Sequence, residues 1–307
     1  MRIAVTGAAG MLGTDFLARL SGAHEAIGLD LPQRIESHVV AQVIAPVDSN
    51  KFSFRACDIL DEIAIRELIA ELKPDWVIHC AAFTNVDGCE KEPDKAFRLN
   101  AEGARNVAKG AWGAKANMLY VSTDYVYDGE KTEPYVETDG TGPLNVYGQS
   151  KLKGEVEVLN ILPDALIVRT SWLFGKNGPN FIEAILAQVG KKDELSVVSD
   201  QVGSPTYTVD LSDALARLIE VDASGVFHAA NEGYCSWFQY AREILRLSGA
   251  AGINVKPMTT EELGRPALRP AYSVLSKEKY KRTTGHNMRH WEEALKDYLI
   301  HREVSIK

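Results

Sequence analysis

The chain has 307 residues, 45% hydrophobic and 25% charged, enough to bury a sizeable core and close to globular averages, which sets aside disordered and fibrous classes. Its formal net charge of -8 argues against a sequence-independent grip on nucleic acid, because neutralising phosphates takes a basic surface. Four cysteines (Cys57, Cys80, Cys89, Cys235) stand far apart without a CxxC, and no apolar run reaches membrane length, so the expectation is reduced thiols in the cytoplasm, with no disulfide frame, zinc site or membrane span.

Met1-Arg2 leads straight into the strand-like Ile3-Ala4-Val5, so no secretory leader is expected. Short apolar strands then alternate with helical stretches: Ile3 to Thr6, Glu25 to Leu29, Phe52 to Cys57, Trp76 to Cys80, Met118 to Ser122 and Ala165 to Arg169. This βαβ rhythm predicts an α/β fold, a Rossmann-type doubly wound parallel sheet over residues 1–170, with ligands at the carboxyl ends of its strands.

At the first such end, "VTGAAGMLG" sets Gly7, Gly10 and Gly13 after a strand and at the start of a helix, Met11 to Leu20. Glycines there let the backbone turn tightly beside a pyrophosphate, which rests on the N–H groups of the helix start around Met11 and Leu12. A glycine-rich turn alone is weak evidence; the strand before, the helix after and an acid ending the next strand strengthen it. Asp30 is that acid, 17 residues after Gly13. Its carboxylate can accept from ribose hydroxyls and repel a 2′-phosphate, which favours NADH over NADPH, although Arg34 close behind blunts the preference.

The fifth strand ends in "YVSTDYVYDG", and 24 residues beyond Thr123 comes Tyr147 of "NVYGQSKLKGE", with Lys151 one helical turn further on the same face. A phenol titrates near ~10 and is a poor acid at neutral pH unless a cation favours its anion, which Lys151 is placed to do. Thr123, or else Ser122, can donate to an oxygen on which charge develops. A YxxxK pair is commonly mere helix decoration; its position after a Ser-Thr strand end and a dinucleotide fingerprint points instead to catalysis.

The GxxGxxG spacing resembles the extended short-chain dehydrogenase/reductase family. "CDIL" (Asp58, Ile59), "CAAF" (Ala81, Ala82, Phe83) and Asn100 in "RLNAEGARNV" extend that resemblance, which implies that the first five of these residues border the cofactor. Within it, "STDYVYDG", "PLNVYGQSKLKGE", "RTSWLFG", "AAFTNVDGCE", "DQVGSPTYTVDL" and "LRPAYSVLS" resemble the dTDP-4-dehydrorhamnose reductases over most of the chain. The resemblance implies an NAD(P)H-dependent reduction of the 4-keto group of a dTDP-sugar, with Thr123 assisting proton transfer, Tyr147 as acid and Lys151 as its partner. It also implies that Asp124 and Tyr125 border the sugar, that Val86 and Trp172 lie against it, and that Asn180 and Arg269 are substrate-domain contacts, Arg269 through a diphosphate. Trp172 reads equally as a core residue. Another nucleotide-sugar reductase or epimerase, or a non-catalytic methionine adenosyltransferase regulatory subunit, is the alternative, because fold does not settle function.

Two features depart from those reductases. The segment between Asp30 and Asp58 is long, so the adenosine end is expected to be built differently. Some family members dimerise through metal-bridging carboxylates such as Mg2+ would take; Asp15, Asp193 and Glu292 or Glu293 stand in comparable places but read as solvated surface acids. A homodimer is therefore an open expectation. His286 and His290, i and i+4, lack the glutamate of HExxH and read as a helical surface pair.

After Arg169 the pattern changes. "NGPNFIEAILAQVGKK", "TVDLSDALARLIEV" and "SWFQYAREILRLSG" read as helices, the last capped by Ser236 and closed by Gly249. They predict a smaller C-terminal substrate domain, 171–307, from which 205–230 can return to the sheet.

Overall fold

The computed structural model describes residues 1–20, 23–35, 52–250 and 252–302; the expectation of a differently built adenosine end falls mainly on 36–51, outside them. Among the described residues, seven parallel strands form the central sheet: β1 (Arg2–Thr6), β2 (Glu25–Asp30), β3 (Phe52–Ala56), β4 (Trp76–His79), β5 (Asn117–Thr123), β6 (Leu166–Thr170) and β7 (Gly225–His228). Their order is β7-β6-β5-β4-β1-β2-β3, so the direction of winding reverses between β1 and β4. That reversal opens a crevice above the strand ends.

Inside the sheet the strands are buried on both faces and read as nearly continuous apolar runs, whereas the edge strand β3 is largely exposed. Ile3 and Val5 enter one core with Phe16 and Leu17 of α1 (Met11–Leu20), while Ala4 between them enters the other. That second core is closed by α2 (Glu62–Leu72), α3 (Gly103–Ala114) and α4 (Val146–Ile161). Local chemistry sets the helix ends: Asp61 caps α2 by accepting from the Ala64 N–H, and Lys73 leaves it in a left-handed turn.

The chain returns to the sheet after its sixth strand. The helix α5 (Thr208–Glu220) packs on α1, and β7 pairs with β6 from Gly225 opposite Leu166 to His228 opposite Arg169. A separate core gathers Phe174, Ile182, Tyr207, Tyr240, Trp291 and Tyr298. Its helix α6 (Trp237–Leu247) begins with the expected Ser236, in a reciprocal capping box with Gln239. Three expectations are corrected. The helix after Asn180 spans only Phe181–Leu186 and dissolves into turns that culminate in the left-handed Gly190. His286 and His290 share no helix, because one helix ends at Thr284 and α7 (Trp291–Arg302) starts after both. Asp15 is not a solvated acid: it accepts from Thr208 Oγ1, and burial raises its pKa.

Two histidines are buried in the neutral form. His79 Nδ1 lies 2.6 Å from Thr6 Oγ1 and His228 Nε2 2.7 Å from Tyr127 Oη; burial, aided by the charges of Lys151 and Arg169, pushes both down to about 3. Unfolded, each titrates near ~6.5, so their contribution is fully present above that pH and is lost as pH falls toward the folded value. While both gain protons only on unfolding, the slope reaches about 2.7 kcal/mol per pH unit. Urea melts between about pH 7 and pH 5 should show it, and a His79→Asn/His228→Gln variant should flatten it; equal slopes would remove these two groups from the effect.

Candidate active site

A cleft of about 790 Å³ opens over the carboxyl ends of the strands on both sides of the winding reversal. One wall is the glycine turn after β1. Gly7 sits at φ +70, and a Cβ on it would lie 2.6 Å from the Ala81 amide nitrogen, so this turn and the end of β4 are in backbone contact. The following helix start turns its N–H groups, which lack intrahelical partners, outward. Asp30 ends β2 with its carboxylate accepting from the Ala9 and Leu31 amides (2.9 and 2.8 Å), and Arg34 Nε stands 3.4 Å from it. These groups present a cradle for a pyrophosphate and an acid–base pair for a ribose or its phosphate.

The opposite wall is the end of β5 and the start of α4. Asn145 caps α4 by accepting from the Gly148 N–H, and Glu90 accepts from the Val146 N–H, which together fix where Tyr147 emerges. The Tyr147 ring meets that of Tyr125 edge to face at 5.9 Å. Burial pushes the Tyr147 phenol up, and a hydrogen bond with the Thr123 hydroxyl opposes the shift. Thr123 Oγ1 also donates to Asp124 at 3.0 Å and accepts from the Tyr125 N–H. Asp124 is buried, accepts from Ser273 at 2.6 Å, and is raised to about 7, chiefly by burial. Ser122, the alternative hydroxyl, donates to Glu155 at 2.5 Å on the other face of the strand, which leaves Thr123 beside Tyr147.

Lys151 is buried to 3% exposure. Its Nζ donates to the Val121 carbonyl at 2.7 Å and lies 4.1 Å from the centre of the Tyr120 ring, not within hydrogen-bond reach of Tyr147. Burial lowers it to about 7, against the pull of Glu155 and Cys80. A phenol with a hydroxyl beside it, a lysine held beneath and an acid at its flank can deliver a proton to an oxygen anion.

A family model described as the RmlD substrate binding domain matches residues 1–304. The chain belongs to this family. It is 40% identical over 300 residues to a dTDP-4-dehydrorhamnose reductase of Streptomyces griseus, with 95% of this chain and 90% of that protein covered. Among solved structures it resembles a dTDP-4-dehydrorhamnose reductase of Clostridium acetobutylicum, with TM-score 0.88, 40% identity and coverage of 99% and 100%. It also resembles the Bacillus anthracis dTDP-4-dehydrorhamnose reductase in complex with NADP, with TM-score 0.84, 35% identity and coverage of 98% and 99%.

In this RmlD chain the cleft brings together Gly7, Gly10, Met11, Leu12, Gly13, Asp30, Asp58, Ile59, Ala81 and Ala82 on one side, and Val86, Thr123, Asp124, Tyr125, Tyr147, Lys151, Trp172 and Arg269 on the other. Two expected residues do not line it. Phe83 is held by Asn100, whose side chain accepts from its N–H at 2.7 Å and donates to its carbonyl at 3.1 Å. Asn100 does this from a π-helical turn, Arg98–Glu102, the kind of local widening that recurs at functional sites. Asn180 is occupied as a helix cap: it accepts from the Glu183 N–H and donates to the Gly175 carbonyl and to Tyr298 Oη.

Trp172 stands between the cleft and the smaller core. It lines the cleft and also packs against the smaller core, stacked on Trp237 at 3.5 Å and 7°. Arg34, anticipated beside Asp30, also lines the cleft, as do Trp237, Ser171 and Asn177, which were not expected there and arrive through tertiary contacts with no local motif. Arg269 bridges to Asp87 at 3.1 Å and donates to the Ala267 carbonyl at 2.9 Å, so its guanidinium is held at the cleft instead of trailing in a surface loop. Among the described residues, no group of three or more His, Cys, Asp or Glu could hold a metal ion, and no helix is long and apolar enough to cross a membrane.

Proposed function

We propose that this chain is a cytoplasmic NAD(P)H-dependent reductase that converts the 4-keto group of dTDP-4-dehydro-6-deoxy-L-lyxo-hexose to the alcohol, giving dTDP-L-rhamnose. The observation that carries the reading is the convergence of Thr123, Tyr147 and Lys151 on one cleft with the glycine turn and Asp30. The dTDP-4-dehydrorhamnose reductase names of its relatives support it.

The residues present fit a dinucleotide: the Gly7 turn leaves no room for a side chain, and Ala81 and Ala82 present short ones. Bound NAD(P)H supplies the hydride. Thr123 then holds the carbonyl oxygen, and Tyr147 donates its phenolic proton to that oxygen as negative charge grows on it. Lys151, in its ammonium form, stabilises the phenolate that remains. Arg269, forked and permanently charged, is placed for the diphosphate of the sugar nucleotide. We assign the cofactor to residues 1–170 with the returning α5 and β7, and the sugar nucleotide mainly to the smaller core.

The cofactor preference follows from the Asp30 environment. The acid is already engaged by two amides and faced by Arg34, which lines the cleft. A 2′-phosphate therefore meets a cation as well as an anion, and the bias of Asp30 toward NADH gives way to use of both cofactors. The Arg34→Ala variant should lose roughly tenfold in NADPH affinity, the scale of one charge-assisted hydrogen bond, with little change for NADH. Equal losses for both would remove Arg34 from the selection.

The deciding assay mixes the protein with the keto sugar nucleotide, generated in place, and follows NADH and NADPH absorbance in parallel. Loss of absorbance with dTDP-L-rhamnose as product is expected. A flat trace would refute the reading, and net consumption of NAD(P)H separates a reductase from an epimerase that recycles its cofactor.

A further inference from the structure

Beneath the catalytic cleft runs a buried chain of polar groups that the reductase reading leaves without a role. Glu155 follows Lys151 by one helical turn on the same face of α4. Both grip β5 at adjacent residues: Lys151 Nζ donates to the Val121 carbonyl, and Glu155 Oε1 accepts from the Ser122 hydroxyl. Arg169 of β6, the register partner of Ser122, closes on the same carboxylate with Nε at 2.9 Å and Nη2 at 2.6 Å. Its Nη1 donates to Tyr127 Oη at 2.7 Å, and that hydroxyl is 2.7 Å from His228. Lys151, Glu155 and Arg169 are exposed by only 3%, 3% and 5%.

Two charged residues this deep need a reason, because a buried ion pair is a costly way to gain stability and a well-packed apolar pair of similar size does as well or better. The surroundings of Lys151 supply one. From β5 it meets a carbonyl and the Tyr120 ring, and its charge acts on His79 at the end of β4 and on Cys80 just beyond it. Near neutral pH the histidine carries no charge, being pushed down to about 3, and the thiol carries none, being pushed up to about 12. Tyr147, on its own helix, is a neutral phenol there, raised by burial. Glu155 is the anion within this set, and its attraction is the largest force opposing the burial that strips Lys151 of its proton.

We propose that Glu155 is a positioning residue that keeps Lys151 in its ammonium form under Tyr147, with Arg169 holding the carboxylate in place. The proposal rests on the reductase reading for the use made of Lys151, but the electrostatic claim stands on the protein alone. Ser122 ties the carboxylate to the strand that also carries Thr123, so the group supporting the lysine and the group facing the substrate oxygen are set by one β5 segment. Glu155 touches neither substrate nor cofactor and acts through Lys151.

The test reads the Lys151 ammonium directly. In full-length protein labelled with carbon-13 lysine, the Lys151 signal is assigned by its loss in Lys151→Met, and its pKa is taken from an NMR titration with no substrate present. In the paired variant Glu155→Leu/Arg169→Met, which removes the anion together with its bound cation, the Lys151 pKa should fall by less than the about 1–3 units that an uncompensated adjacent opposite charge commands. Glu155→Gln, which keeps an acceptor for Ser122, should lower it in the same direction. The alkaline limb of the turnover profile should move to lower pH with it, a change that a merely structural role would not produce. An unchanged Lys151 pKa in either folded variant overturns the proposal. So does a wild-type lysine that already titrates at about 5–6, the range of a lysine buried without a carboxylate, and this outcome requires neither charge-removal variant to fold. A wild-type protein with no ketone reduction but a Lys151 pKa that depends on Glu155 would refute the assigned reaction and leave the coupling intact.

Discussion

The Tyr147→Phe variant is expected to lose roughly 100-fold or more in turnover while cofactor affinity stays nearly unchanged. The substitution removes one oxygen and leaves the ring, so the edge-to-face contact with Tyr125 and the packing at the start of α4 persist. What disappears is the proton that would quench the alkoxide, together with the phenol oxygen that faces the Thr123 hydroxyl. Thr123 retains its bond to Asp124, and Lys151 its bond to the Val121 carbonyl, so neither neighbour is set loose. Stopped-flow turnover alongside fluorescence titration of NADPH separates the two quantities. A variant that keeps wild-type turnover would exclude Tyr147 as the acid and leave Asp124, raised to about 7 beside it, as the remaining donor.

Gly7→Ala should weaken NAD(P)H binding by about 100-fold, the scale on which displacement of a binding element by an ångström acts. The new Cβ would sit 2.6 Å from the Ala81 nitrogen, 2.7 Å from its Cα and 2.8 Å from the Cys80 carbonyl carbon, all backbone atoms that cannot swing aside. The conformation at φ +70 adds its own strain for an L side chain. The turn after β1 and the end of β4 must therefore separate, and both line the cleft. Gly113→Ala in α3 is the control, since its Cβ would meet nothing within 4 Å. Calorimetric titration of both variants checks the contrast, and wild-type affinity in Gly7→Ala would show that the turn does not cradle the cofactor.

The parallel sheet was readable in advance because its strands announce themselves locally. Apolar runs such as Trp76–His79 and Leu166–Thr170 are bounded by polar turns, and every strand anticipated up to Arg169 is present to within a residue at either end. The glycine turn, Asp30 and the Tyr147–Lys151 pair were readable for a related reason: each is a short-range pattern whose chemistry demands a fixed spacing along the chain. The Ser236 cap belongs with them, since a capping box spans four residues.

Where the argument needed contacts between distant segments, the chain alone was silent. Asn180 could be read as a ligand contact until its amide was seen bonded to Gly175 and Tyr298, the latter 118 residues away. Ser122 and Thr123 are neighbours whose side chains leave opposite faces of β5, so their roles diverge only once Glu155 is placed beneath one and Tyr147 beside the other. Trp237 reaches the cleft because packing of the smaller core lays it flat on Trp172, 65 residues earlier in sequence. Periodicity and turn chemistry act over a few residues and so reveal strands, caps and the glycine turn. Burial, desolvation and the ion pair of Glu155 with Arg169 depend on which elements fold against one another, and only the assembled tertiary structure determines them.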